Sequence, residues 1–402
     1  MRILSVEHES DLRQELARVG ADESCWDIFV SKNRMLAFSI VGLSTAAANI
    51  LKQTAIGCGG DCAVHRAVAS GRVRRSDAVL FVSRRRLPEL RRRLESQPEC
   101  VARLAPCLLE QERAMLNPNR TIVIGGRRVD LATRTHVMGI LNVTPDSFYD
   151  GGRWLDPERA VDQALQMEAE GADFVDIGGE STRPGSEPVP PAEQVRRVLP
   201  VLRRLRARLR VPVAIDTGSA AVARKALDEG AAIVNDVSGF AADPRLAKLV
   251  AKSGVPCVVM HLPAAPRTMQ RRPRYRNLMA EVVASLEAAI ARGTAAGVAR
   301  EQLIVDPGLG FGKTTSHNLE LVRRLRELES LDRPILLGPS RKRFIGELTG
   351  TEPEDRLEGT LAACVLGARH GANIVRVHDV KPVVRALRVH DALVGLAQGK
   401  EG

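Results

Sequence analysis

The sequence predicts an α/β fold, a (β/α)8 barrel preceded by a small α/β N-terminal domain. From Val137 onward, eight short apolar runs alternate with stretches of helical periodicity, and eight is the strand number of a closed parallel barrel. Almost every run stops at a polar residue, as barrel strands do where they deliver side chains to a site. The chain has 402 residues, whereas one barrel needs about 250, so a second domain is expected.

Residues 1–117 form the predicted N-terminal domain, basic and without an assignable role. Ile3–Val6, Phe38–Gly42 and Ala78–Val82 read as strands and Ser44–Thr54 as a helix. The apolar run from Met35 to Leu51 is interrupted by Ser, Thr and Asn and is short of a membrane span, so it reads as a buried strand and helix. Cys58, Cys62 and His65 fit no common zinc spacing; a glycine turn between two helices with small buried thiols is the plainer reading. Arginines cluster between Arg72 and Arg93, and the net charge is +11. Without interleaved aromatics to stack bases, a solvated helix face is favoured over nucleic-acid binding. The seven cysteines are scattered and no secretory leader is evident, which predicts reduced thiols in the cytoplasm.

Residues 118–402 form the predicted barrel. Asn117-Pro118-Asn119 reads as a linker, and Thr121–Thr135 alternates apolar and polar residues around Gly125-Gly126, a hairpin signal. The eight strands are expected at Val137–Leu141, Phe174–Ile177, Val213–Ile215, Ile233–Val234, Cys257–Met260, Leu303–Val305, Ile335–Leu337 and Ile374–Val377. Aromatic content of only 3% implies a core of aliphatic residues and alanine, which suits this architecture. Asp156-Pro157-Glu158 announces a helix start, with an N-cap acid and proline at the first helical position.

At the strand ends stand Asn142, Asp176, Asp216, Asn235 with Asp236, His261, Asp306, Ser340-Arg341-Lys342, and Arg376 with His378. In a barrel these ends meet on one face, and polar groups against apolar strands are costly unless a ligand or partner engages them. Asp216, Asn235 and Asp306 suit a heterocycle with a donor-rich edge. Asn142, Thr182, Arg183, Ser340, Arg341, Lys342, Arg376 and His378 suit phosphate. Glycine-rich loops at Gly178–Gly185 and Asp306–Lys313 would bring backbone close to such a ligand. No hydrolase-like triad and no His/Cys metal cluster is evident.

These residues sit in motifs that resemble dihydropteroate synthase, a family of the pterin-binding barrels: GILNVTPDSFYDGG, DIGGESTRPGS, AIDT, IVNDVSG, MH, PRTMQ, DPGLGFGKT, GPSRKRFIG and RVHDV, in order over about Ile122 to Leu396. The resemblance implies condensation of 6-hydroxymethyl-7,8-dihydropterin diphosphate with 4-aminobenzoate, with Mg2+ required and pyrophosphate released. It places the pterin on Asp216, Asn235, Asp306 and Lys342, the metal on Asn142, and the leaving pyrophosphate on Arg376 and His378. It puts Phe148, Thr182, Arg183, Pro184, Phe311, Ser340 and Lys342 near the second substrate, under loops Thr144–Trp154 and Thr182–Glu187, and it implies a homodimer. This chain departs from the family's pattern at Leu262–Pro266 and at Leu309. A pterin-binding methyltransferase would lack the Ser340–Lys342 and Arg376–His378 set, and the intact Asn142, Asp216, Asn235, Asp306, Lys342, Arg376 and His378 argue against a barrel retired to binding alone.

Overall fold

Along each parallel strand of the larger unit, alternate residues face the barrel interior and the surrounding helices. That alternation builds the fold. The computed structural model describes residues 2, 4, 6, 9–144, 156–180, 188–263, 269 and 273–396. The chain divides into two compact units, Met1–Leu116 and Asn117–Gly402.

The first unit contains α1 (Glu9–Arg18), α2 (Trp26–Asn33), β1 (Met35–Ser44), α3 (Thr45–Gly57), β2 (Asp61–Val64), β3 (Arg75–Ser83), α4 (Leu87–Glu95), α5 (Glu99–Ala102) and α6 (Leu104–Leu116). Its antiparallel sheet runs β1-β3-β2. Leu36, Leu43, Cys62, Ala78, Leu80 and Val82 bury one face against Leu51 of α3 and Leu87, Leu90 and Leu94 of α4. Ser44 caps α3 by accepting from the Ala47 N–H, which starts the helix where the strand ends. Two expectations change here. The turn at Cys58–Asp61 joins a helix to a strand rather than two helices, because β2 pairs with the long strand β3. The arginine cluster is divided among the start of β3, the turn Arg84–Arg86 and α4, and so is not one helix face. The strand expected at Ile3–Val6 lies partly outside the described residues, and Leu4 and Val6 carry no regular structure.

The second unit opens with the hairpin β4 (Thr121–Ile124) and β5 (Arg127–Asp130), turned by Gly125 and Gly126 at positive φ. Then follow β6 (His136–Asn142), α7 (Pro157–Ala169), β7 (Phe174–Gly178), α8 (Pro191–Leu205), β8 (Val213–Asp216), α9 (Ala220–Asp228), β9 (Ile233–Asp236), α10 (Pro244–Ser253), β10 (Cys257–Met260), α11 (Leu278–Ala295), β11 (Leu303–Asp306), α12 (Thr315–Arg323), β12 (Leu336–Leu337), α13 (Arg343–Thr349), α14 (Leu357–Arg369), β13 (Ile374–Val377) and α15 (Val380–Leu393). Asp156 caps α7 from its side chain, with proline at the first helical position.

The eight parallel strands are ordered β11-β10-β9-β8-β7-β6-β13-β12, and a Val305–Ile335 bridge joins the two ends. The sheet therefore closes as a barrel. Each strand gives one residue to an interior layer: Met138, Phe174, Ala214, Ile233, Val258, Ile304, Leu336 and Ile374. Ile122 and Ile124 of the hairpin join that layer, and Val123 exchanges two backbone bonds of 2.8 Å with the Gln302 amide. The residues between, such as Val137, Val175, Ile215, Val234, Val259, Val305, Leu337 and Val375, pack under the helices. Burying that aliphatic surface on both sides of the sheet is the main stabilising term.

Candidate active site

Two residues beyond the apolar interior layer, the same inward register reaches Ile140, Asp176, Asp216, Asn235, Met260, Asp306 and Arg376. The layer changes from apolar to polar within one step of the strand period. Asp176 is fully buried, and Asp216, Asn235 and Asp306 are nearly so. Arg376 crosses the layer: its Nε donates to Asp176 at 2.6 Å and its Nη2 to Asp216 at 2.9 Å. The Asn235 amide donates to the same Asp176 oxygen at 2.8 Å.

Electrostatics follow from this crowding. Burial, and then the charge of Asp176, push Asp216 up to about 7 against the opposing pull of Arg376. Burial also raises Asp306, opposed by its bond from the Gly308 N–H and by Lys342.

Above this layer lies a cleft of about 800 Å3, lined among others by Asn142, Phe311, Ser340, Lys342, Arg376 and His378. Ser340 and His378 are coupled: the Ser340 hydroxyl is 2.9 Å from His378 Nδ1 and accepts from the His378 N–H at 3.1 Å. Burial and then Arg376 and Arg341 lower His378 to about 4, so the imidazole is neutral near pH 7. The Lys342 ammonium stands 4.2 Å from the centre of the Phe311 ring, a cation–π contact. Asp216, Asn235 and Asp306 lie in the buried layer, and Arg376 reaches from it into the cleft.

Arg341, expected to offer charge to phosphate, lines the cleft and also holds Asp379 with two bonds of 3.0 and 2.6 Å. Its φ of 54 is left-handed, and its N–H donates to Thr360. These bonds sustain a conformation that costs a non-glycine residue about 1–2 kcal/mol and set its neighbours Ser340 and Lys342 at the cleft.

The loop after β11 folds around a buried lysine. Lys313 Nζ donates to the carbonyls of Gly308 at 2.9 Å and Phe311 at 3.0 Å, and lies 2.9 Å from His261 Nδ1. Burial lowers Lys313 to about 7; burial and the Lys313 charge lower His261 to about 3. His261, expected as a strand-end group facing the site, lies against Lys313 of the loop that follows β11. Asp236, the next residue after inward-facing Asn235, accepts from the N–H groups of Ser238 and Phe240 and anchors its own loop.

Asp216, Asn235, Asp306, Lys342, Arg376, His378, Phe311, Ser340 and Asn142 are thus gathered at one barrel end. Phe148, Thr182, Arg183 and Pro184 lie outside the described residues, as do the two loops except Thr144. Sequence reasoning passed over Lys313 and gave Asp176 no role. Reading the strands in steps of two would have aligned Asp176 with Asp216.

The family described as pterin binding enzyme matches residues 138–378. A dihydropteroate synthase of Mycobacterium leprae is 51% identical over 261 residues, covering 63% of this chain and 91% of that protein. The Xanthomonas albilineans dihydropteroate synthase in complex with 7,8-dihydropteroate superposes with a TM-score of 0.62 at 43% identity, over 69% of this chain and all of the other. A probable bifunctional folylpolyglutamate synthase/dihydropteroate synthase of Haloferax volcanii is 40% identical over 354 residues, spanning 85% of this chain and 41% of that protein. That share exceeds what residues 117–402 can supply, so the similarity extends into the first unit.

Proposed function

This chain belongs to the dihydropteroate synthase family of pterin-binding enzymes, and from that premise we propose how its residues divide the work of the synthase reaction. The reaction joins 6-hydroxymethyl-7,8-dihydropterin diphosphate to 4-aminobenzoate. The bond from the exocyclic methylene carbon to the diphosphate oxygen breaks, a carbon–nitrogen bond to the arylamine forms, and pyrophosphate and a proton leave.

The observation that carries this reading is the junction of an acceptor-rich buried layer with a cationic cleft, bridged by Arg376. Asp216, Asn235 and Asp306 take the donor edge of the pterin, with Lys342 beside it. As the carbon–oxygen bond lengthens, positive charge spreads from the methylene into the ring, and the carboxylates of Asp216 and Asp306 stabilise it. Arg376 and His378 hold the departing pyrophosphate, and the amine then attacks an electron-poor carbon without needing a strong general base. Phe311, Ser340 and Lys342 place that second substrate, together with Phe148, Thr182, Arg183 and Pro184. Loops 144–154 and 182–187 exclude water that would otherwise capture the cation.

The donor set fits a Mg2+ ion that arrives with its diphosphate. Asn142, at the end of β6, lines the cleft and can bring one neutral oxygen to it. That is the coordination Mg2+ accepts, since it keeps water and phosphate oxygens. Asn142 would hold the ion, which supplies charge neutralisation of the diphosphate. A cytoplasmic homodimer completes the reading, supported by the resemblance and by seven free cysteines.

The test is pyrophosphate release by the full chain with pterin diphosphate, 4-aminobenzoate and Mg2+, and its loss in Lys342→Ala or on chelation. A folded sample that binds pterin yet releases none would refute the assignment.

A further inference from the structure

We infer that Asp176 is a positioning residue that sets the polarity of the pterin-binding edge through Asn235 and fixes the guanidinium of Arg376; this rests on the reaction assigned above. Asp176 is fully buried on β7, and one of its oxygens receives both the Asn235 amide at 2.8 Å and Arg376 Nε at 2.6 Å. An asparagine can meet a carboxylate oxygen at that distance only through its NH2 group. Its carbonyl is therefore turned away from Asp176, the orientation in which it can accept from a ligand. Without the carboxylate the amide could turn over, and the edge would offer a donor where the pterin also offers one.

Among the described residues, the other oxygen of Asp176 has no hydrogen-bond partner. A carboxylate kept for stability alone would be expected to have both oxygens satisfied, since an unmet buried acceptor is costly. Asp216 alongside carries the second bond of Arg376. The two carboxylates thus hold the guanidinium in a fixed orientation at the boundary between the ring layer and the cleft. Asp176 lies in the same inward register as the groups assigned to the ring.

The experiment measures equilibrium binding of 6-hydroxymethylpterin and of the matching lumazine, which carries a carbonyl in place of the ring amine. It uses the full-length wild type and Asp176→Asn, without metal or diphosphate. Asp176→Asn should bind the pterin at least about tenfold more weakly, the loss expected for a charge-assisted bond, and its preference for pterin over lumazine should shrink. The affinity for 4-aminobenzoate should change less than about twofold, which general loosening of the fold would not allow. Wild-type affinity and preference in Asp176→Asn would overturn the inference. Failure of the wild type to bind pterin would instead overturn the reaction assigned above. Should Asp176→Asn not fold, Asn235→Asp asks the same question: it keeps an acceptor for the ligand but removes the donor to Asp176, so wild-type affinity there overturns the inference as well.

Discussion

Replacing Lys313 with methionine should change the sign of a stability difference with pH. The side chain is buried, and its ammonium sits among the carbonyls of Gly308 and Phe311 and the ring of His261. Burial lowers its pKa from the ordinary lysine value of 10.5 to about 7. Between those two values the unfolded chain binds a proton that the folded chain has released, so stability rises with pH across that window. Integrated from about pH 6 to about pH 9.5, the wild type should gain about 3 kcal/mol relative to Lys313→Met.

At the acid end the variant is relieved of a desolvated charge, so it should match or exceed the wild type. At the alkaline end it lacks three hydrogen bonds and the wild type should be the more stable. Urea unfolding of both proteins, followed by circular dichroism at the two pH values, reads the difference, because all other titrating groups are shared. A difference that stays constant with pH would refute the argument. Activity should fall at least about tenfold at either pH, because two loop carbonyls lose their donor.

Two further predictions rest on the same site. Because Asp216 is pushed up to about 7 by burial and by Asp176, pterin affinity should strengthen as pH rises through that value, and Asp216→Asn should be flat. Stability moves the opposite way: the folded state holds the extra proton between about pH 4 and about pH 7, so stability falls as pH rises there and the variant loses that slope. Affinity titrations that show the same pH profile in both proteins would remove Asp216 from the pterin edge. Gly308→Ala places a methyl group 2.3 Å from the His261 carbonyl oxygen at a φ of 68. It should cost about 3 kcal/mol and lower the calorimetric melting temperature by roughly 5–10 °C; a change under about 1 °C would contradict the close approach.

The apolar strands could be read from the chain because each is buried on both faces and so forms an unbroken hydrophobic run. Cys257–Met260 and Ile374–Val377 were placed with their observed limits. The expected strand at Ile335–Leu337 begins with a residue that only bridges to Val305, since the barrel closes there. In the first unit, β2 was not foreseen, because four residues with Asp at the start carry little periodic signal.

By itself the sequence determined the barrel, its order of strands and the residue types at their ends, because short-range hydrophobic patterning and motif spacing are written along the chain. The tertiary structure alone decided which of those ends act together. Asp176 and Arg376 are far apart in sequence yet bonded at 2.6 Å, Arg341 pairs with Asp379 at the cleft, and Lys313 is buried against the carbonyls of the loop it supports. Each depends on which strands close the barrel beside one another and on the burial that closure imposes, and neither distance nor burial can be read from a one-dimensional pattern.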